Sequence, residues 1–174
     1  TFTVASGGGG GIAVNLTLPA PFSFSTNTNS MVPENGTAIN TARQLVGSAG
    51  IQTASLVFGG AVPTGPGLTT NTEQWDGSSW TELANMNTAR EYVQGAGTST
   101  LALGFSGSPP TTGKTEAWDG TSWTEVNDLS SARSSSSGSA SAVSALCIGG
   151  NIPPYSAATE EWEAGNAVST VTTS

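Results

Sequence analysis

Apolar side chains alternate with small or polar ones in short runs, and the runs are separated by turn-forming residues. Leu101, Leu103 and Phe105 alternate with smaller residues, the period-two signature of a half-buried strand. Together with Val93–Gly97, the run Thr100–Gly107 predicts a strand pair joined by a small polar turn. Thr72–Trp75 and Trp80–Leu83 flank Asp76-Gly77-Ser78-Ser79, and Asp-Gly between strand-forming runs predicts a hairpin. A loop of this length sets Trp75 opposite Trp80, where an aromatic pair adds about 0.5–1.5 kcal/mol beyond its burial. The same hairpin returns as Trp118, Asp119-Gly120-Thr121-Ser122 and Trp123.

The recurrence extends much further. Asn40-Thr41-Ala42-Arg43 reappears as Asn87-Thr88-Ala89-Arg90 and, altered, as Ser130-Ser131-Ala132-Arg133. At a fixed distance after each arginine come a leucine (Leu56, Leu103, Leu146), a bulky apolar residue (Phe58, Phe105, Ile148) and a glycine (Gly60, Gly107, Gly150). Each unit continues with Thr-Glu-x-Trp, giving Glu73 and Trp75, Glu116 and Trp118, Glu160 and Trp162. So many registered matches define a tandem repeat, and such a repeat fixes the architecture. The units are 40–86, 87–129 and 130–166, each predicted to hold four short strands. The fold class is therefore all-β, with residues 40–174 as the repeat domain and residues 1–39 as an N-terminal β/linker segment that anchors or closes it.

A unit of about 45 residues with four strands, a glycine pair ending the second and a Trp hairpin after it resembles the Kelch repeat. Gly59-Gly60 and Gly149-Gly150 match the family's double glycine, whereas the middle unit carries Ser106-Gly107 and the usual Tyr between the glycines and the Trp is absent. The wording Thr-Glu-x-Trp-Asp-Gly-x-Ser-Trp-Thr-Glu followed by Asn-x-Ala-Arg is similar to Kelch-like proteins of marine bacteriophages and some aquatic bacteria. The resemblance covers roughly residues 40–166. It implies a β-propeller, in whole or part, and a virion structural or appendage role.

Composition changes the picture in one respect. Only 9% of the 174 residues are charged, against about 25% in ordinary soluble proteins, so an uncharged, hydroxyl-rich surface is expected. The net charge is −8, and the bases Arg43, Arg90, Lys114 and Arg133 are widely scattered. That argues against nucleic acid as a partner, since a polyanion needs clustered Lys and Arg. No apolar stretch reaches the ~18 residues of a membrane helix. The start lacks Met and shows no signal-peptide pattern, so the chain is expected to be processed or a portion of something longer. Cys147 is the single cysteine, and its apolar setting predicts a buried, inert thiol.

Candidate chemistry is sparse. The chain has no His, which removes the usual general base and the commonest metal ligand. It also removes the copper-oxidase chemistry known among Kelch-type enzymes. Asp76 with Glu82, or Glu160 with Glu161, are the remaining acid/base pairs, but turn formation and solvated strand positions account for them. The recurring Arg43, Arg90 and Arg133 are expected to pair with Glu73, Glu116 and Glu160 as links between neighbouring units. Gly7–Gly11 lacks the Gly-Lys-Ser/Thr ending of a phosphate loop and reads as a hinge or packed glycine strand. Asn15 and Asn35 head glycosylation sequons. Trp80 and Trp123 are candidate glycan-binding residues, although blade-to-blade packing is the commoner use of such positions.

The third unit loses its second hairpin Trp, with Ala167 in its place, and three units do not close a propeller of four to eight blades. The alternatives are closure by the chain's own ends, by identical chains or by a partner protein on the last edge, and a homo-oligomer or larger assembly is expected. Thr1–Ser6, Gly11–Leu18 and Val168–Thr173 are β-prone segments that could supply strands, and Ser23–Ser30 is a polar linker. The expected protein is non-enzymatic and needs no cofactor. It is a virion-surface or extracellular structural or attachment component that partners itself, other virion or surface proteins, or a host-surface glycan. The alternative is a secreted or cell-surface carbohydrate-binding module.

Overall fold

The computed structural model describes residues 36–63, 67–139, 141–152 and 155–163. The expected N-terminal strands, the glycine run, the linker, both sequon asparagines and the strand at Val168–Thr173 lie outside them. Among the described residues there are eleven strands and no helix, so none is long and apolar enough to cross a membrane. The strands form three antiparallel sheets that do not close into a barrel.

Sheet one runs β1 (Gly47–Ile51), β2 (Ala54–Phe58), β3 (Thr72–Trp75) and β4 (Trp80–Leu83), each paired with the next. Sheet two repeats this with β5 (Gln94–Gly97), β6 (Ala102–Phe105), β7 (Thr115–Trp118) and β8 (Trp123–Val126). Sheet three contains β9 (Ser137–Gly138), β10 (Ser144–Ile148) and β11 (Thr159–Glu163), in the order β11-β10-β9. Each sheet occupies one sequence unit. Both predicted hairpins fall where expected, with Trp75 opposite Trp80 and Trp118 opposite Trp123. Ring centroids are 5.4 Å apart in each pair. Asp76 and Asp119 hold the two loops through the N–H and hydroxyl groups of the two residues that close each turn. The side-chain bond from Thr121 and the backbone N–H donors hold the Asp119 carboxyl down to about 2, and the donors of Ser79 and Ser78 lower Asp76 as well.

Two hydrophobic cores lie between sheets. Leu56 and Phe58 of sheet one meet Ala102, Trp118 and Trp123 of sheet two, with Met86 and Val93 between. Leu103 and Phe105 of sheet two meet Ala145, Cys147 and Trp162 of sheet three. A strand shared by two cores must be apolar on both faces, and β6 is buried at all four positions. The half-buried strand expected there is thus corrected. Leu101, expected as its first apolar position, sits before the strand and is exposed.

Residue size grades along each interface. At the first strands the backbones nearly touch: a Cβ on Gly95 would lie 2.0 Å from the Ser48 carbonyl oxygen, and one on Gly138 2.4 Å from that of Gly95. Further along the sheet, Phe58 packs edge-on against Trp123 at 4.8 Å. Glycine at one side and indole at the other give neighbouring sheets a wedge-shaped separation. The double-glycine corner ties them together, with Gly60 N–H donating to the Arg90 carbonyl at 2.9 Å and Gly107 N–H to that of Arg133 at 3.0 Å.

That corner also explains Ser106. The first corner position has φ of 63°, 60° and 62° at Gly59, Ser106 and Gly149, whereas the second has 102°, 128° and 117° at Gly60, Gly107 and Gly150. A serine tolerates the left-handed well at modest cost, but the second region belongs almost wholly to glycine. The Ser106 hydroxyl moreover bonds that of Ser136, the residue before β9, at 3.1 Å. We therefore expect Gly107→Ala to destabilise by about 1–3 kcal/mol and Ser106→Gly by less than about 1 kcal/mol, measured by urea unfolding. Equal losses would contradict this assignment.

Candidate functional site

The most elaborate polar constellation recurs at the entry to each sheet. Arg43 donates to Glu73 at 2.8 Å, Arg90 to Glu116 at 2.6 Å, and Arg133 to Glu160. The predicted partners are correct. The predicted placement between units is not, because each pair joins residues of one unit. The arginine precedes the first strand and the glutamate stands in the third, so the bridge spans a single sheet. What passes between units is the arginine's main-chain carbonyl, through the double-glycine corner.

Each glutamate does more than neutralise its arginine. Its second oxygen accepts the backbone N–H three residues before the arginine: Asn40 at 2.6 Å, Asn87 at 2.6 Å and Ser130 at 2.7 Å. Asn87 adds its side-chain amide to Glu116 and to the Trp123 carbonyl, both at 2.9 Å. Arg90 in turn donates to the carbonyls of Ser106 and Gly104 across β6. One carboxylate thus fastens the incoming segment, and one guanidinium fastens the second strand. Glu73, Glu116, Arg90 and Arg133 are all buried. A buried charge is tolerable only with this degree of satisfaction. Among the described residues, the Arg43 Nε is the sole buried side-chain nitrogen or oxygen left without a partner.

The carboxylate pairs considered for acid/base work are not assembled. Asp76 is engaged within its own loop, while Glu82 lies opposite Glu73 in the ladder. Glu160 and Glu161 are adjacent in β11 and so point to opposite faces. Among the described residues no three metal-ligating side chains gather. Cys147 is fully buried, and desolvation pushes its thiol up.

The tryptophans divide by environment. Trp118 and Trp123 are buried between sheets one and two, and the Trp123 indole donates to the Thr72 hydroxyl at 3.0 Å. Trp123, a candidate sugar platform by sequence, is therefore corrected to a packing residue with no free face. Trp162 donates across the interface to the Asn127 carbonyl at 3.2 Å and packs on Phe105 at 4.9 Å. It covers Phe105 much as Trp123 covers Phe58, although Trp162 is the counterpart of Trp118. Trp75 and Trp80 remain only partly covered. The Trp80 indole donates to the Thr37 carbonyl, and Asn40 donates to the Trp80 carbonyl. Asn40 also lines an uncharged groove of about 430 Å³ with Thr41, Thr69, Asn71, Val62 and Leu68. Sequence reasoning missed this groove and the glycines at Gly95 and Gly138. Both glycines stand five residues after their arginines, a spacing legible in the repeat.

No protein-family model matches the chain, and a search of curated proteins found none that matches.

Removing one partner of a buried, hydrogen-bonded pair leaves the other charge uncompensated. We expect Glu116→Ala to lower stability by about 3–5 kcal/mol, and Glu160→Ala to lower it distinctly less, since Glu160 is 21% exposed. Denaturant midpoints of the two variants check the order. A Glu116→Ala loss no larger than that of Glu160→Ala contradicts it.

Proposed function

We propose that this protein is a non-enzymatic structural or attachment component of a virion, a fibre, tail appendage or capsid decoration, built from Kelch-like repeats. The observation that carries this reading is the fate of the charged groups. All three recurring glutamates are engaged with arginines and backbone N–H groups, and the loop aspartates are engaged in turns. That chemistry supports a rigid scaffold more readily than a reaction centre. The virion setting draws on the likeness of the repeat wording to marine phage proteins. Such a component acts through protein–protein assembly with neighbouring surface proteins, copies of itself among them, or through contact with the host surface. The sheets read as blades of a partial propeller, for which the wedge-shaped interfaces are suitable.

A carbohydrate-binding module is the second reading, favoured by the Trp75–Trp80 pair beside the uncharged groove at Asn40, Thr41 and Asn71. Aromatic faces with nearby amides and hydroxyls are the chemistry that binds sugars. On the first reading, an antiserum to the chain labels the surface of purified particles, and the purified chain turns over no polysaccharide. Absence from particles, together with glycan-array binding that disappears in folded Trp80→Ala, replaces the first reading with the second. Polysaccharide turnover by the chain overturns both.

A further inference from the structure

The two internal interfaces are built alike, so they define what each face of a repeat sheet receives. The forward face of sheet one offers Phe58 and the Gly60 N–H; sheet two answers with Gly95, Trp123 and the Arg90 carbonyl. The forward face of sheet two offers Phe105 and the Gly107 N–H; sheet three answers with Gly138, Trp162 and the Arg133 carbonyl. In both cases the incoming sheet has glycine five residues after its arginine. No other residue fits, because the added Cβ would sit 2.0 Å or 2.4 Å from a backbone carbonyl oxygen. Backbone cannot swing aside as a flexible side chain can.

The two outer faces differ from each other. Sheet one carries Ser48 where sheets two and three carry Gly95 and Gly138, and Ser48 is exposed. Sheet three presents Ile148 where Phe58 and Phe105 stand, yet Ile148 is 44% exposed while both phenylalanines are at 0%. Its corner is already formed, with Gly149 and Gly150 at φ 62° and 117°. Among the described residues the Gly150 N–H has no acceptor, although its counterparts Gly60 and Gly107 each bond the next arginine's carbonyl.

We infer that the repeat array is directional: the forward face of sheet three is a docking surface for one further repeat sheet with glycine five residues after its arginine, and Ser48 bars a second copy of this chain from that role. The occupant supplies a main-chain carbonyl to Gly150 and an apolar cover to Ile148. Self-association is thereby confined to other surfaces. The inference refines the assembly role proposed above, but it rests on packing alone, and its test involves no particle or glycan.

The experiment appends a copy of residues 87–129 after Ser174 of the full chain. The copy's arginine then falls 45 residues beyond Arg133, within the 43–47 spacing of the native units. A second version carries serine at the copy's counterpart of Gly95. Both are made with Ile148→Cys, whose thiol is labelled in the native state while the buried Cys147 stays silent. The glycine extension should slow labelling on the order of tenfold or more, and the serine extension should leave it unchanged. Labelling of the unextended chain should not depend on protein concentration. Exchange of the Gly150 N–H, read without the Ile148→Cys substitution, should follow the same pattern and covers a failure of that variant to fold. Equal rates in the two extensions, fast or slow, overturn the inference. So does concentration-dependent protection of the unextended chain.

Discussion

The structure depends on an arginine–glutamate pair used three times, its guanidinium buried in every case. Each pair crosses its own sheet from the entry segment to the third strand, and further donors and acceptors of the pair hold backbone on either side. In a chain with so few charges, placing three guanidinium groups in the interior is a strong constraint. Such pairs contribute little net stability compared with an apolar replacement, but they penalise any arrangement that separates the partners. Here that penalty fixes where each sheet begins, and therefore where its neighbour can pack.

The inter-sheet contacts follow from that placement. Once the arginine is pinned, its main-chain carbonyl lies where the preceding double-glycine corner can donate to it. Five residues later the chain runs against the preceding first strand so closely that only glycine fits. Beyond this, Phe58 and Phe105 meet indoles across a wider gap. Electrostatics within sheets thus sets the position, and apolar burial between sheets supplies most of the stabilisation. The same logic ends abruptly at both outer faces, where Ser48 replaces glycine and Ile148 is left half covered.

Much of this was legible in the residues because the repeat is written in residues with specific geometry. Asp-Gly loops gave the hairpins to the residue, and the shared spacing of Arg and Glu identified the partners. The span of the pair was misjudged, since spacing shows that two residues meet but not whether they meet within a unit or between units. The double burial of β6 was hidden for a related reason: a strand sandwiched between two sheets has Ala and Gly on one face, which reads as polar alternation. Trp123 looked like an exposed platform because its partner, Phe58, lies 65 residues away in another unit. Trp162 shows that equivalent positions need not keep equivalent roles once a neighbour, here the second hairpin Trp, is missing.

The central claim is that the buried pairs and the interfaces they position make the three sheets one cooperative structure. Native-state hydrogen exchange on the wild type and on Glu116→Ala tests it most directly. If the claim holds, the Gly60 and Gly107 amides exchange with the strand amides of both adjoining sheets, and the substitution lowers protection in sheets one, two and three together. Loss confined to sheet two, with sheets one and three keeping their protection, would contradict it.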